Sequence, residues 1–152
     1  MILVPATATL LWTPPLLAQT YVEVTPGAAG VSASTNDGNV PANAVDGSLA
    51  TRWSANGDGQ WLQLDLGAER TVGHVKVGVY NGNTRRNSFE IQVSVGGGIW
   101  TTAWTGQSSG TTTAEEMYDF PDTQARFVRY LGHMNNVNGF NSVTDVSVFA
   151  VP

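Results

Sequence analysis

The 152-residue sequence contains no cysteine, a single lysine and few charged residues, which make up only 12% of the chain. The absence of cysteine excludes a disulfide scaffold, a thiol nucleophile and a cysteine-ligated zinc site. Acidic residues outnumber basic ones, giving a formal net charge of −5, and Lys76 is the only lysine. Nucleic acids and anionic membranes require a basic surface, so the sequence predicts neither as a partner.

Neutral polar residues, mainly Thr, Asn, Ser and Gly, take the place of the missing charges, and 41% of the residues are hydrophobic. A chain of this length forms one domain and buries roughly 68–70% of its unfolded surface. It therefore needs no structural metal to build a core, and any metal would be a local staple. A surface of neutral hydrogen-bonding groups is typical of an extracellular β-rich protein.

The first 18 residues are apolar, uncharged and rich in small residues, and they end Leu-Leu-Ala before Gln19, which resembles the hydrophobic region and cleavage site of a secretion signal. We interpret residues 1–18 as a secretion signal, residues 19–30 as an N-terminal extension and residues 31–150 as one secreted module. The basic region that normally opens such a signal is missing, since the first basic residue is Arg52. An apolar tail or a misassigned start codon is the alternative. A transmembrane span is not, because it needs ~20 continuous apolar residues.

Alternation of apolar and polar residues predicts β-strands from residue 20 onward. The clearest alternation covers residues 62–66, 75–79, 89–95 and 146–150, and weaker candidates cover residues 99–105, 116–120 and 126–132. Turn-forming segments rich in Asn and Gly lie at residues 56–57, 81–82, 96–98 and 138–139. No segment has the period of an amphipathic helix. The pattern predicts an all-β fold, an antiparallel sandwich or barrel.

Residues 43–53 bring together a carboxylate, a glycine turn, hydroxyl groups and an Arg-Trp pair. Calcium takes 6–8 oxygen ligands at ~2.3–2.6 Å, largely from carboxylates and from carbonyls of a turning backbone. Asp46 supplies one carboxylate and Gly47 the bend. The polar spacing of this segment therefore suits a hard cation.

Short motifs along residues 31–149 resemble, in the same order, those of the discoidin (F5/8 type C) domains, and within them the family 32 carbohydrate-binding modules. The motifs are VSAS at 31–34, AVDG at 44–47 with TRW at 51–53, QWLQLDLG at 60–67, FEIQVS at 89–94, ARFVR at 125–129 and NSVTDV at 141–146. Each motif is weak alone, but their shared order makes the resemblance specific. It implies a jelly-roll-like antiparallel β-sandwich of about eight strands.

The resemblance also implies one structural calcium ion near an end of the sandwich. Its implied ligands are carbonyl, carboxylate and hydroxyl oxygens of Asn43, Asp46, Ser48, Thr51, Thr144 and Asp145. Family members commonly have Glu where this chain has Asp145, and the shorter side chain is expected to weaken the site or to admit a water. The alternative is that Asp46 and Asp145 are only turn residues.

Two loops, residues 80–87 and 133–141, contain the aromatic, arginine, asparagine and histidine side chains with which the resembled family binds glycans at one rim of the sandwich. Amides hydrogen-bond neutral hydroxyls, and the C–H face of a sugar stacks on an aromatic ring. The predicted carbohydrate-binding residues are Tyr80, Asn81, Asn83, Arg85, Arg86, His133, Asn136, Asn138 and Phe140.

Other roles are open for several of these residues. Arg85 and Arg86 can simply solvate a hairpin tip, Phe140 can belong to the core, and His133 can be a structural hydrogen-bonding residue. The motif positions place two further residues, Trp53 and Trp61, in or near the core. They also favour Arg52 as the partner of a buried carboxylate such as Asp65, and not as a sugar contact.

The adjacent Arg85 and Arg86 stand out in an otherwise acidic protein, because a guanidinium group pairs bidentately with a carboxylate. We therefore expect an acidic sugar such as a uronate. The two loops resemble most closely those of family 32 modules attached to alginate lyases, which favours alginate or another uronate-containing polysaccharide. Neutral galactose- or glucose-type glycans are the alternative, since guanidinium also binds hydroxyl groups.

Catalytic groups are not recognisable in the sequence. Glycoside hydrolysis needs two carboxylates across a cleft, and a lyase needs a general base beside a group that neutralises the carboxylate. The two histidines, His74 and His133, form no catalytic or metal-ligand cluster. We predict a non-catalytic carbohydrate-binding module, monomeric or part of a multidomain polysaccharide lyase that it targets. A cell-surface adhesion domain and a small lyase are the alternatives from other classes.

Overall fold

The structure, a computed structural model, describes residues 4–152 and consists mainly of antiparallel β-strands. The strands are β1 (Val22–Glu23), β2 (Val31–Ala33), β3 (Trp53–Asn56), β4 (Gln60–Val79), β5 (Asn87–Ser94), β6 (Thr101–Gln107), β7 (Glu116–Asn135) and β8 (Phe140–Ala150). Two short 3-10 helices, Ala28–Gly30 and Pro41–Val45, are the only helices in residues 4–152. Neither helix is long and apolar enough to cross a membrane. The all-β prediction is confirmed.

One continuous hydrogen-bonded sheet contains all the strands, in the order β1-β8-β4-β7-β5-β6, with β2 added beside β4 and β3 beside β8. The longest strands, β4 and β7, pair with each other along both halves, with register shifts between Asp65 and Arg70 and between Val72 and His74. Residues 60–65 of β4 pair with β2 and the second half of β7, whereas residues 70–79 pair with β8 and the first half of β7. The sheet therefore turns over at the two bends and forms both layers of a sandwich.

The sequence pattern divides β4 and β7 into two strands each, and the structure joins the parts. Residues 62–66 and 75–79 both lie in β4, and residues 116–120 and 126–132 both lie in β7. Alternation stops at residues 67–70, which are exposed at the bend of β4. Pairing with β7 resumes directly after the bend, where Arg70 lies opposite Ala125. Hydrophobic periodicity reports burial and not hydrogen bonding, so it cannot show such a continuation.

Inward-facing residues of both layers make one hydrophobic core, as the alternation predicts. Its largest fully buried side chains are Trp53, Tyr130, Phe89, Leu62, Leu64, Ile91, Val72, Val75, Val77, Val128, Val143 and Val146. Trp53 packs edge-on against Tyr130, with ring centroids 6.3 Å apart. Its indole N–H donates to the carbonyl of Thr35 over 2.9 Å, so the one polar atom of this buried ring is satisfied.

The N-terminal part of the chain changes character near residue 21. Residues 4–18 are exposed and have no regular secondary structure, and the predicted secretion signal also includes residues 1–3, which lie outside the described residues. Tyr21 is the first residue that packs on the sandwich, where its hydroxyl donates to the Asp122 carboxylate over 2.7 Å. Its ring leaves no room for a side chain at Gly73. Residues Val22–Glu23 then pair with β8.

Three loops meet at one end of the sandwich because of how β3, β4 and β8 are paired. Ser54 of β3 lies opposite Ser142 of β8, and their hydroxyls are 2.7 Å apart. The N–H of Tyr80, just after β4, donates to the carbonyl of Ser142 over 3.2 Å. The segment before β3, the turn after β4 and the loop before β8 are thereby brought together. This end contains most of the residues predicted to bind carbohydrate.

Candidate functional site

A shallow depression of about 180 Å³ lies at this end of the sandwich, and we call it the rim depression. It is lined by Asp37, Arg52, Ser54, Tyr80, Arg85, Asn138, Phe140 and Ser142. The lining thus combines arginines, aromatic rings, an amide and hydroxyls with one carboxylate. Such groups hydrogen-bond hydroxyls and carboxylates and stack against the apolar face of a sugar ring.

A larger groove of about 550 Å³ lies at the other end of β5, between the loop after that strand and residues 123–124. It is lined by Val93, Ser94, Val95, Gly96, Gly98, Ile99, Thr101, Thr123 and Gln124. This lining has no aromatic ring and no charged side chain. Size alone favours the groove, but its chemistry offers nothing to stack on a sugar or to pair with a carboxylate. The rim depression is therefore the better candidate.

The turn after β4 places Tyr80 and Arg85 side by side. Asn81 adopts a left-handed backbone conformation with φ 52°, and its carbonyl accepts hydrogen bonds from the N–H groups of Thr84 and Arg85 at 2.9 and 3.1 Å. Asparagine tolerates this conformation better than most residues do. The tight turn brings the guanidinium carbon of Arg85 to 5.4 Å from the centre of the Tyr80 ring.

Arg52 stacks on the same ring from the segment before β3. Its guanidinium carbon is 4.0 Å from the centre of the Tyr80 ring, which is cation–π distance. The Arg52 Nε atom is buried and has no hydrogen-bond partner among the described residues. The expectation that Arg52 pairs with Asp65 is therefore wrong. Asp65 instead pairs with Arg126, whose Nε and Nη2 donate to the two carboxylate oxygens over 2.9 and 3.0 Å. Arg126 precedes Phe127, the residue of β7 that lies opposite Asp65.

Asp37 is the one carboxylate of the rim depression. Partial burial alone would raise the pKa of Asp37, but hydrogen bonds from the backbone and side chain of Asn39, together with the charge of Arg52, hold it below its ordinary value. The two bonds from Asn39 reach the same carboxylate oxygen, at 3.0 and 2.9 Å. Asp37 is therefore ionised at neutral pH and partly offsets the charge of the two arginines.

The loop before β8 is held by the side chain of Asn135. Its Oδ1 accepts from the N–H groups of Val137 and Asn138 at 2.8 and 2.9 Å. Its Nδ2 donates to Asn138 Oδ1 and to the carbonyl of Phe140 at 2.7 and 2.8 Å. Asn138 Oδ1 also accepts from the N–H of Phe140 at 3.0 Å. These bonds fix Asn138 and Phe140 before any ligand arrives.

Four of the predicted carbohydrate-binding residues, Tyr80, Arg85, Asn138 and Phe140, line the rim depression. Four others lie beside it without lining it: Asn81, Asn83, Arg86 and Asn136. Arg86 and Asn136 tie the two loops together, since the Arg86 N–H donates to Asn136 Oδ1 over 2.8 Å and the Asn136 N–H to the Arg86 carbonyl over 3.1 Å. The Arg86 side chain runs against Gly110, on the next loop.

His133 lies away from the rim depression, between two carboxylates. Its Nδ1 is 2.6 Å from Asp58 Oδ1 and its Nε2 is 2.7 Å from Glu90 Oε2. The hydrogen bonds to Glu90 and then to Asp58 raise the pKa of His133 above its ordinary value. Both ring nitrogens are thus used within the protein, which is the structural role that the sequence left open for this residue.

Sequence reasoning missed Asp37, Ser54 and Ser142 and misassigned Arg52. Ser54 lies between the buried Trp53 and Ala55, and Ser142 lies between the buried Asn141 and Val143, so both resemble ordinary strand positions. They meet only because β3 pairs with β8 across a long stretch of sequence. The one local signal was Arg52 itself, a basic residue directly before the buried Trp53 in an otherwise acidic chain.

The loop 43–51, which we call the cation loop, gathers oxygen atoms around the hydroxyl of Thr51. This hydroxyl bonds to the Asp46 carboxylate and lies 3.4 Å from the carbonyl oxygens of both Asn43 and Ser48. Asp46 Oδ1 also accepts from the N–H of Ser48 over 2.9 Å, and Gly47 makes the bend with φ 73°. Four of the six predicted calcium ligands, Asn43, Asp46, Ser48 and Thr51, are therefore close together in the cation loop.

Asp145 faces this loop from β8 and is 8% exposed. Burial first, then a hydrogen bond and charge from Glu115, with a further contribution from Asp46, raise the pKa of Asp145 to about 7. No three acidic or histidine side chains converge on a metal-sized site within residues 4–152. A cation here would thus depend on backbone carbonyls as well as on Asp46 and Asp145. Such a donor set fits the all-oxygen coordination of calcium.

Comparisons with known proteins identify the family and the fold of the chain. A family model for a NedA-like, galactose-binding domain of the F5/8 type C group matches residues 43–130. The solved structure of the CBM32 of AlyQ in complex with 4,5-unsaturated mannuronic acid is 44% identical, with a TM-score of 0.81, and the match covers 84% of this chain and 98% of that one. A truncated AlyQ with CBM32 and alginate lyase domains is 42% identical, with a TM-score of 0.83, over 88% of this chain and 34% of that one.

Two more relatives widen the comparison. The structure of a pectin-binding carbohydrate-binding module is 27% identical, with a TM-score of 0.76, over 82% of this chain and 91% of that one. Among curated proteins, the polysaccharide lyase 8 family protein HylA of Enterococcus faecalis is 34% identical over 89 residues. Those residues are 57% of this chain and 6% of HylA, so the chain spans a small fraction of that protein.

Proposed function

The chain belongs to the F5/8 type C family of NedA-like, galactose-binding domains and is a carbohydrate-binding module of the CBM32 type, and we propose that it binds a uronate-containing polysaccharide, alginate foremost, in the rim depression. The family is one of non-catalytic modules, which confirms the prediction that the chain is a binding module and not an enzyme.

The observation that carries the proposal is the pair of guanidinium groups, Arg52 and Arg85, at 4.0 and 5.4 Å from the centre of one tyrosine ring. Two cations at one shallow depression of an acidic protein attract an anion, and the planar guanidinium fork matches a carboxylate. The Arg52 Nε atom is buried and has no hydrogen-bond partner among the described residues, so no acceptor of the protein offsets the charge at that atom.

The remaining lining suits the rest of a uronate residue. Phe140 and Tyr80 supply aromatic surface for the C–H face of the ring. The exposed Asn138 amide supplies N–H donors for sugar hydroxyls, whereas the hydroxyls of Ser54 and Ser142 are buried and bonded to each other. Because Asn135 already fixes the loop that holds Asn138 and Phe140, little ordering entropy is lost on binding.

The relatives support the same ligand class. The CBM32 of AlyQ was solved with an unsaturated mannuronic acid, and another relative binds pectin, which is also a uronate polymer. AlyQ and HylA are both lyases, which supports a role in holding an attached lyase on its polysaccharide outside the cell. Secretion and the attached enzyme are parts of this proposal.

Neutral glycans are the second candidate, and one observation favours them. Asp37 places a carboxylate in the depression, where it would repel a uronate and accept hydrogen bonds from neutral hydroxyls. We give the neutral-glycan candidate less weight because one Asp37 oxygen already accepts two hydrogen bonds from Asn39. In addition, the depression contains two arginines and a single carboxylate.

We also propose a structural calcium ion in the cation loop, held by oxygens of Asn43, Asp46, Ser48, Thr51, Thr144 and Asp145. The converging oxygens around Thr51 and the buried Asp145 carboxylate support it. A bound cation would offset the charges of Asp46 and Asp145, which otherwise face each other. It would also fix the loop that leads directly into Arg52.

Affinity electrophoresis through gels containing alginate tests the proposal with two adjacent arginines. We expect Arg85→Ala to lose retention by about tenfold or more, as for loss of a charge-assisted contact of ~1.5–3 kcal/mol. Arg86→Ala is the matched control, because it removes the same charge one residue away, outside the depression. Equal losses in both variants would indicate non-specific charge attraction, and retention by a neutral galactan instead of alginate would favour the second candidate.

A further inference from the structure

We propose that the module has a second binding surface for acidic polysaccharide, on the outer face of the sheet, centred on Arg129 between two tryptophan rings. We call it the aromatic face and define it as Trp61, Gln63, Gln92, Trp100 and Arg129. Its ligand class rests on the proposed function, but it shares no residue with the rim depression.

The arginine is clamped by rings from two separate elements. The guanidinium carbon of Arg129, on β7, is 4.3 Å from the centre of the Trp61 ring and 3.9 Å from that of the Trp100 ring. Trp61 belongs to β4, and Trp100 ends the loop that joins β5 to β6. Both rings remain partly exposed, so the stack is open to solvent at the sheet surface. Stacking on two rings holds the cation in one place.

Arg129 has no acidic partner in the described part of the chain. Its Nη2 donates to the neutral Gln63 Oε1 over 2.8 Å, and its Nε is buried with no hydrogen-bond partner among residues 4–152. Burial lowers the pKa of Arg129, yet a guanidinium group stays charged at any physiological pH. A partly desolvated cation without a counter-ion gains free energy when an anion approaches. Arg126 differs, because Asp65 already neutralises it.

The neighbouring carboxylates do not compete for Arg129. Asp65 is paired with Arg126, and Glu90 is bonded to His133 and to the hydroxyl of Thr102 at 2.7 Å each. No carboxylate of residues 4–152 is therefore paired with Arg129. Charge complementarity favours a ligand with carboxylates, and an acidic polysaccharide provides them at regular intervals.

Amides flank the guanidinium group in the same row of the sheet. Strand register places Gln63 of β4 and Gln92 of β5 opposite Arg129 on its two sides. Amide groups hydrogen-bond sugar hydroxyls, and the exposed parts of the indole rings offer stacking surface. The row crosses three neighbouring strands, an extent that fits the side of an extended polymer better than a chain end.

Two surfaces on one module have a measurable consequence. A polymer that reaches both gains avidity through effective concentration, whereas a short oligosaccharide occupies one surface at a time. Loss of the aromatic face should therefore weaken retention by polymeric alginate and leave the affinity of the rim depression for a short oligosaccharide unchanged.

Trp100→Ala tests the proposal, with Ile99→Ala as the matched control, since Ile99 is 87% exposed in the same loop. We expect Trp100→Ala to lower retention in alginate gels by about tenfold. This loss is smaller than the roughly 10²–10⁴-fold gain in avidity that two linked sites can provide. Calorimetric affinity for an alginate trisaccharide should stay at the wild-type value. Arg129→Gln should act in the same way, and Trp100→Ala decides alone if that variant is unstable, because Trp100 lies outside the strands.

The two proposals fail in different ways. Residual retention of Arg85→Ala that disappears in Arg85→Ala/Trp100→Ala supports the aromatic face. Wild-type retention of Trp100→Ala overturns the aromatic face and leaves the proposed function intact. Equal losses in Trp100→Ala and Ile99→Ala also overturn it. If the wild-type protein is not retained by alginate at all, the proposed function fails, and the aromatic face fails with it.

Discussion

The rim depression and the aromatic face each hold an arginine against aromatic rings, but different parts of the fold position them. Arg52 and Tyr80 lie in loops, whereas Arg129 and Trp61 lie in long paired strands. In both cases the Nε atom is buried without a partner in the described chain. Loop positions depend on the hydrogen bonds and ions that hold the loops, and strand positions depend only on register. The rim should therefore respond to changes that leave the face untouched.

Loss of the proposed calcium ion should have the largest effect on this contrast. An ion that binds only the folded state adds about 2.7 kcal/mol to the free energy of unfolding at 100 times its dissociation constant. We expect a chelator, or Asp46→Asn, to lower stability by about that amount in urea denaturation. The rim should lose trisaccharide affinity as well, because the cation loop leads into Arg52 and Asn43 Nδ2 donates to the Arg52 carbonyl over 3.0 Å.

Glu69→Gln is the control for this prediction, since it removes an exposed carboxylate at the bend of β4. It should denature like the wild type at every calcium concentration. Identical denaturation curves of the wild type with and without chelator would contradict the proposed calcium site. A loss of stability without any loss of trisaccharide affinity would separate the cation loop from the rim.

Asn135→Ala should have the next largest effect, on the rim alone. The substitution removes four hydrogen bonds that shape the loop around Asn138 and Phe140. Disorder of the free loop must then be reversed on binding, at a cost of ~1–2 kcal/mol, or about tenfold in affinity. Isothermal titration with an alginate trisaccharide measures the change. Val137→Ala, at an exposed position of the same loop, should bind normally, and an unchanged Asn135→Ala would show that the loop needs no such preorganisation.

The smallest expected effect is a pH dependence of the free energy of unfolding that arises from His133. The pKa of His133 is raised in the folded protein, so the stability that it contributes is complete below its unfolded pKa of ~6.5. That contribution is lost as pH rises through the raised folded value. The side chain is 37% exposed, so we expect at most ~1 kcal/mol. Urea denaturation between pH 6 and 9 in excess calcium should show a decline that His133→Gln lacks, and parallel curves would contradict it.

Much of the fold follows from local patterns in the sequence. Alternation places nearly every long strand, and Asn-Gly pairs mark the turns around the rim. The joining of residues 62–66 with 75–79 into one strand is not visible locally, because the exposed bend between them carries no periodicity. Pairing between Ser54 and Ser142 is equally hidden, since it links distant parts of the chain.

The candidate site was partly predictable for similar reasons. Composition finds Tyr80, Arg85, Asn138 and Phe140, because loops rich in arginine, amides and aromatic residues are unusual in this chain. It cannot separate Arg85 from Arg86, since the direction of each side chain depends on the turn at Asn81. Composition also cannot assign Arg52, whose partner is chosen by which loops the strand pairing brings together.

A titration of the ¹⁵N-labelled module with an alginate trisaccharide, followed by amide chemical shifts, tests the central claim most directly. We predict saturable shifts concentrated at residues 37, 52–54, 80–85 and 138–142, with little change at groove residues 94–96 and 123–124. Saturable shifts confined to that groove, or no shifts at trisaccharide concentrations that saturate retention, would contradict binding in the rim depression.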